Sequence, residues 1–258
     1  MPNKVKRAVA IFDIHYPVHH KPTIAAALEY LKENPPDIFL LGGDQFHFDC
    51  LSHHTKGKPI YRTRRSYMND IEGFEENILG PLEEVLPKKC IKRWHEGNHE
   101  RFAWDFIEEH PELEDALNHI KLLELEERGW EVFKLGEASK LGKLTVAHGE
   151  TLSGWGNQAS LMQAKKAVEI FTGNILVGHS HSPQTFTKVS PVSHTNKWQG
   201  HVAPCACSVN PSYLRNRATN WLNGFCLIDI LPGGNFNYYP VVISDGTFSF
   251  NGKVYGKK

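Results

Sequence analysis

The sequence has no apolar run that approaches membrane-spanning length, so no transmembrane segment is expected. It has no excess of charge of either sign. Lys plus Arg and Asp plus Glu each number 29, for a formal net charge of zero. That excludes a globally basic nucleic-acid coat but leaves room for a local basic patch. Cysteine is sparse. Cys50, Cys90, Cys205, Cys207 and Cys226 form no C-x-x-C pair, and an odd number argues against a disulfide framework or a zinc knuckle. Reduced thiols fit a cytoplasmic protein. The opening MPNKVKRAVAIFD lacks an apolar signal core and a cleavage site, so no targeting segment is expected. Internal repeats and low-complexity linkers are also missing. The 258 residues therefore read as a single domain, 1–258, with a β-rich part from about residue 200.

What the sequence does have is histidine, fifteen of them, and short apolar runs alternating with helical patterns. RAVAIF at 7–12, DIFLLGG at 37–43, CIKRWHEG at 90–97, KLTVAHG at 143–149 and NILVGHS at 174–180 read as buried strands. Helical spacing is expected at 21–34, at 64–85 with a break near Gly80–Pro81, at 101–128 and at 157–171. This alternation predicts an α/β layered domain with strands packed between helices.

The five strands end alike, in DIH, GGD, EGNHE, HGE and GHSH. In open α/β sheets, ligands bind at the carboxyl ends of strands, so that edge reads as a working surface. The groups gathered there are Asp13, His15, Asp44, Asn98, His99, His148, His179 and His181. Mixed carboxylates and imidazoles suit Mn, Fe or Zn better than Ca or Mg, which prefer oxygen alone. In D-x-H and H-x-H, residues i and i+2 of an extended segment face one side, so each pair can grip one region of space. Eight such groups exceed the need of one four-coordinate ion and fit two ions roughly 3.5–4 Å apart.

D-x-H, G-D, G-N-H-E, a lone His and G-H-x-H, in this order over residues 13–181, resemble the calcineurin-like metallophosphoesterase superfamily. The resemblance implies an αββα sandwich with its metal site at the C-terminal ends of the strands, and a metal-dependent phosphoester hydrolase. It implies two divalent ions, with Mn2+ preferred and Fe, Zn or Ni as alternatives. Asp13, His15 and His181 would hold one ion, Asn98, His148 and His179 the other, and Asp44 would bridge them. His99 would contact the phosphate and protonate the leaving group, its ring held by Asp13, Glu100 or Asp49. The family's G-D-x-V-D-R-G signature of protein Ser/Thr phosphatases lacks its Arg here. GGDQFH is instead similar to the DNA-repair nuclease branch, in which the histidine at the position of His47 assists catalysis.

Three further stretches carry expectations. The loop HHTKGKPIYRTRRS holds Lys56, Lys58, Arg62, Arg64 and Arg65 with no acid and with Tyr61 nearby; Arg62, Arg64 and Arg65 are candidate substrate-binding residues for a polynucleotide. Acidic 108–127 reads as a solvated helical face or a protein contact. Cys205 and Cys207 read as buried thiols on one strand face. The preferred reading is a nuclease acting on nucleic acid. The rivals are a small-molecule phosphatase or phosphodiesterase and, more remotely, an inactive binding scaffold, against which every motif position is filled.

Overall fold

The computed structural model describes residues 4–55, 57–58, 66–150, 162–211 and 217–257. Strand β1 (Lys6–Ile11) and strand β2 (Ile38–Gly42) are apolar on both faces, as strands covered on both sides must be. They run parallel, followed in register by β3 (Ile91–His95) and β4 (Trp130–Phe133). A second sheet contains β5 (Ser139–Leu141), β6 (Leu144–Ala147), β7 (Ile175–Val177), β8 (Gln184–Ser190) and β9 (Ser193–Val202), in the order β5-β6-β7-β9-β8. The C-terminal part returns to the first sheet. There β10 (Gly224–Ile230) lies antiparallel to β1, and β11 (Phe236–Val242) completes the order β11-β10-β1-β2-β3-β4.

Residue alternation sorts the side chains into three apolar layers. Ala8, Ala10, Ile38 and Leu40 face inward and pack with Leu144, Val146, Leu176 and Ile228 between the two sheets. Val9, Ile11, Phe39 and Leu41 face outward and pack beneath helix α1 (Lys21–Glu33) and helix α2 (Tyr67–Phe74), through Ile24, Tyr30, Leu31, Ile71 and Phe74. On the far side, Ile175, Val177 and Val202 pack against Ala164 and Ala167. Each large side chain buried in this way contributes roughly 1.5–3 kcal/mol of apolar burial. The result is the layered αββα sandwich. No helix among the described residues is long and apolar enough to cross a membrane.

Some elements differ from the sequence expectation. Gly80–Pro81 does not break the helix that is expected to end at Val85; its expected first residues, 64–65, lie outside the described residues. A π turn over Glu75–Leu79, in which the Gly80 N–H donates to Glu75 O, carries the chain past Pro81 and joins α2 to α3 (Gly80–Val85). Residues 101–128 are not one helix. Helix α4 (Arg101–Glu109) stops before Pro111, two short pieces follow, α5 (Glu114–Leu117) and α6 (His119–Leu122), and the chain then turns to Gly129. Helix α7 (Gln163–Phe171) supplies Ala164 and Ala167; its expected first turns at 157–161 lie outside the described residues.

Candidate metal centre

Five chain segments leave the C-terminal ends of β1, β2, β3, β6 and β7 at the same edge of the sandwich. They are tied together by their backbones. Asp13 N–H donates to Gly43 O (3.0 Å), His15 N–H to Asp44 O (2.8 Å) and Gly178 N–H to His148 O (2.8 Å). The D-x-H and H-x-H segments are not extended, contrary to the strand-alternation argument. Asp13, His15, Asp44, His179 and His181 all have positive φ, between 50° and 65°. Asp and His tolerate this region better than most residues, yet each such residue stores about 1–3 kcal/mol, and such strain concentrates at functional sites. Left-handed turns, rather than strand alternation, aim these side chains inward. At Gly97 a Cβ would overlap Asp44 Oδ1, so only glycine lets the β3 turn approach this carboxylate.

The side chains converge. Asp44 Oδ2 lies 3.6 Å from His15 Nε2 and 3.2 Å from His148 Nε2. Asp13 Oδ1 lies 3.3 Å from His181 Nε2, and His181 Nε2 lies 3.2 Å from His15 Nε2. His148 Nε2 is 3.3 Å from the Asn98 amide oxygen. Two groups with metal-ligand spacing, Asp13–His15–Asp44 and Asp44–His148–His179, share Asp44. The donor set fits divalent cations. Imidazole nitrogens facing each other at 3.2 Å repel unless a proton or a cation lies between them, and His15 Nδ1 and His179 Nδ1 are buried without a hydrogen-bond partner. His148 is further oriented through its Nδ1, 3.0 Å from Gly42 O, which leaves Nε2 for the site.

The electrostatics favour positive charge here. Burial by itself would lower His148, but the Asp44 carboxylate overrides it and raises His148 to about 10. His181 is raised to about 9, Asp13 outweighing burial in the same way. His179 is lowered to about 4, first by burial and then by its neighbour His148. Asp44 is held well below the usual carboxylate range, His148 and His99 overcoming its burial. Buried anions that stabilise protons on adjacent imidazoles will stabilise a divalent cation in their place.

His99 and His47 stand at the rim of this cluster. Their rings stack at 5.1 Å, and the His99 ring is 4.5 Å from that of His15. The His99 N–H donates to Asp44 Oδ1 (2.9 Å). None of the three carboxylates expected to hold the His99 ring does so. Its Nδ1 lies 2.8 Å from the backbone carbonyl of His47, and Asp49 instead pairs with His47 Nε2 at 2.9 Å. Glu100, fully buried, accepts three backbone N–H groups: Asp44 (3.1 Å), Gly97 (2.7 Å) and Phe46 (3.0 Å). It is a brace between the β2 and β3 turns. Burial, reinforced by the charge of Asp44, pushes its carboxyl up to about 8.

Thus Asp13, His15, Asp44, Asn98, His148, His179, His181, His99 and His47 come together. Arg62, Arg64 and Arg65 lie outside the described residues. Cys205 and Cys207 are buried thiols, as expected, and the Cys207 Sγ lies 3.7 Å from His181 Nδ1. Trp221 places its ring 4.2 Å from that of His181. Both come from the C-terminal part, and only folding brings them here.

Similar solved structures include Vps29 from Cryptosporidium parvum, at 13% identity, with 98% of this chain and 99% of that chain covered and a TM-score of 0.49. Vps29 from Entamoeba histolytica complexed with Zn2+ is similar at 12% identity, with 92% and 98% covered and a TM-score of 0.41. A dimetal phosphatase from Danio rerio is similar at 8% identity, with 90% and 98% covered and a TM-score of 0.40. Comparison with curated proteins returns no match. The family model for calcineurin-like phosphoesterase matches residues 7–205, a span that contains every residue of the converging cluster. With the sandwich and its strand-end cluster, that match places the chain in the calcineurin-like phosphoesterase family, as a metal-dependent phosphoester hydrolase.

Proposed function

We propose that this hydrolase is a dinuclear phosphodiesterase that cleaves nucleic acid. In this reading Asp13, His15 and His181 would hold one divalent cation and Asn98, His148 and His179 the second, with Asp44 shared between them and Mn2+ the preferred ion. Bound cations of this kind neutralise phosphate oxygens and lower the pKa of water. The chain's own residues do the rest. His99 is fixed through Nδ1 by the His47 carbonyl, so Nε2 is the nitrogen that exchanges a proton with the leaving alkoxide. Burial lowers its pKa below the ordinary imidazole value, which makes its protonated form a stronger acid than a free imidazolium. An arriving phosphate anion raises the protonated fraction at the moment it is needed. His47, oriented by Asp49, stacks on His99 and limits its motion.

The observation that carries the reading is this His47–His99 pair beside the shared Asp44. Monoester and diester hydrolysis each release one alkoxide and need one proton donor, so His99 serves either. What supports the diester is the second oriented imidazole, His47, arriving in the sequence GGDQFH that resembles the nuclease branch. Its test is a substrate panel on protein reloaded with Mn2+, Mg2+, Zn2+, Ni2+ or Co2+. DNA, RNA and bis-p-nitrophenyl phosphate should be cleaved, and p-nitrophenyl phosphate much less. Cleavage of monoesters without any polynucleotide activity refutes the nuclease and leaves a small-molecule phosphatase.

A further inference from the structure

Where the imidazoles of this centre are oriented through Nδ1, the partner is a backbone carbonyl: Gly42 for His148 and His47 for His99. His181 departs from the pattern. Its Nδ1 faces a thiol, Cys207 Sγ at 3.7 Å, and its Nε2 faces Asp13 and His15. Cys207 is not loosely placed. It is 2% exposed, its backbone bridges His19, and its carbonyl accepts the Asn223 amide at 2.6 Å. The same amide lies 3.8 Å from Cys205 Sγ. On its other side the His181 ring meets Trp221, edge to face, at 4.2 Å and 71°. The imidazole is therefore held between an indole and a clamped sulfur.

We infer that Cys207 is the positioning residue of His181, accepting the Nδ1–H so that the Nε2 lone pair points at a cation. The inference rests on reading His181 as a metal ligand. A metal-bound histidine almost always gives its second N–H to an oriented acceptor, which fixes the tautomer and the ring. Sulfur is a weak acceptor, so it orients His181 without adding a formal charge. The Cys207 side chain is thus kept for what its sulfur accepts as well as for the volume it fills.

The test separates acceptor from volume. Cys207→Val fills the site without an acceptor, Cys207→Ala empties it, and Cys226→Ala removes a buried thiol that contacts Tyr238 instead of the centre. Mn2+ titration of metal-free protein, with circular dichroism to confirm the fold, should weaken one of two binding steps by about 10–100-fold in both Cys207 variants. Cys226→Ala should bind as the wild type does. Cys207→Val with wild-type affinity overturns the inference and leaves a packing role. A second measurement needs no variant. In the Zn2+-loaded wild type, nitrogen NMR should find His181 bound through Nε2 with a proton on Nδ1; a metal bound to Nδ1 overturns the inference. If the wild type binds no cation, the metal reading itself fails. If it binds two and the Cys207 variants match it, only the role of the thiol fails.

Discussion

Glu100 offers the most direct test of how the site is braced. It is fully buried and its two oxygens accept three backbone N–H groups, from Asp44, Phe46 and Gly97. Glu100→Ala removes all three acceptors. A buried donor left without a partner costs about 1–3 kcal/mol, so the sum lies between about 3 and 9 kcal/mol. Water entering the vacated space moves the result toward about 3, still a large fraction of a net stability of about 5–15 kcal/mol. Glu100→Gln should do less damage. Its single oxygen can keep the Asp44 and Gly97 donors, which share Oε2, while its NH2 faces the Phe46 N–H. The Phe46 N–H is then left without an acceptor, which costs about 1–3 kcal/mol. pH supplies an independent sign. The folded carboxyl is raised from 4.5 to about 8, first by burial and then by Asp44. Its linked stability is therefore fully present below 4.5 and is lost as pH rises through 8. Glutamine does not titrate, so the gap between wild type and Glu100→Gln should narrow over that window. Urea denaturation of metal-free protein, followed by tryptophan fluorescence, measures all of this. A loss below about 1 kcal/mol for Glu100→Ala, or a greater loss for Gln than for Ala, refutes the brace.

Other expectations concern chemistry and charge. His99→Ala should keep its metals and fold but lose about 10²–10⁴-fold in turnover on esters with poor leaving groups, and less on p-nitrophenolate esters; equal losses on both would assign His99 to phosphate positioning. Metal-free protein should lose stability as pH rises from 6.5 toward 9–10, because His148 and His181 are raised to about 10 and about 9 and their contribution is present only while they are protonated. Loading Mn2+ near neutral pH should accordingly release protons, seen as a binding heat that varies with the buffer's ionisation enthalpy; a buffer-independent heat contradicts those protonation states. Neutralising Arg62, Arg64 and Arg65 to Ala should weaken polynucleotide binding and flatten its salt dependence by a slope of roughly 0.7–0.9 per lost contact, while a small diester is hydrolysed as before. If both substrates respond alike, the loop supports the site structurally.

The sequence by itself determined which strands exist at the centre of the fold and which residue types close them. β1, β2, β6 and β7 were legible because strands covered on both faces must be apolar over their buried length, and β3, which carries Lys92 and Arg93, because it ends like the others in Asp, Asn or His beside glycine. Strands β4, β5 and β8 were not legible. β8, at the sheet edge, is exposed along much of its length and lacks an apolar signature; β4 and β5 are interrupted by the exposed charges Glu131 and Lys140. The chemical class was legible for a related reason: a metal site needs particular donor atoms, and donor identity is written in residue type. How those donors are aimed was not. The spacing of D-x-H and H-x-H suggested extended segments, but Asp13, His15, His179 and His181 turn through left-handed conformations that tertiary hydrogen bonds impose, such as those from His179 N–H to the Asp13 carboxylate at 3.0 and 3.1 Å. Only the tertiary structure decided what stands behind each ligand. Glu100 reaches back 56 residues to Asp44, His99 leans on the carbonyl of His47, and Cys207 and Trp221 close on His181 from a part of the chain that read simply as β. These supports act through backbone groups, sulfur and ring edges. Every residue offers backbone groups, and a single sulfur or ring carries no spacing signal, so their positions follow from how the two sheets pack rather than from a motif.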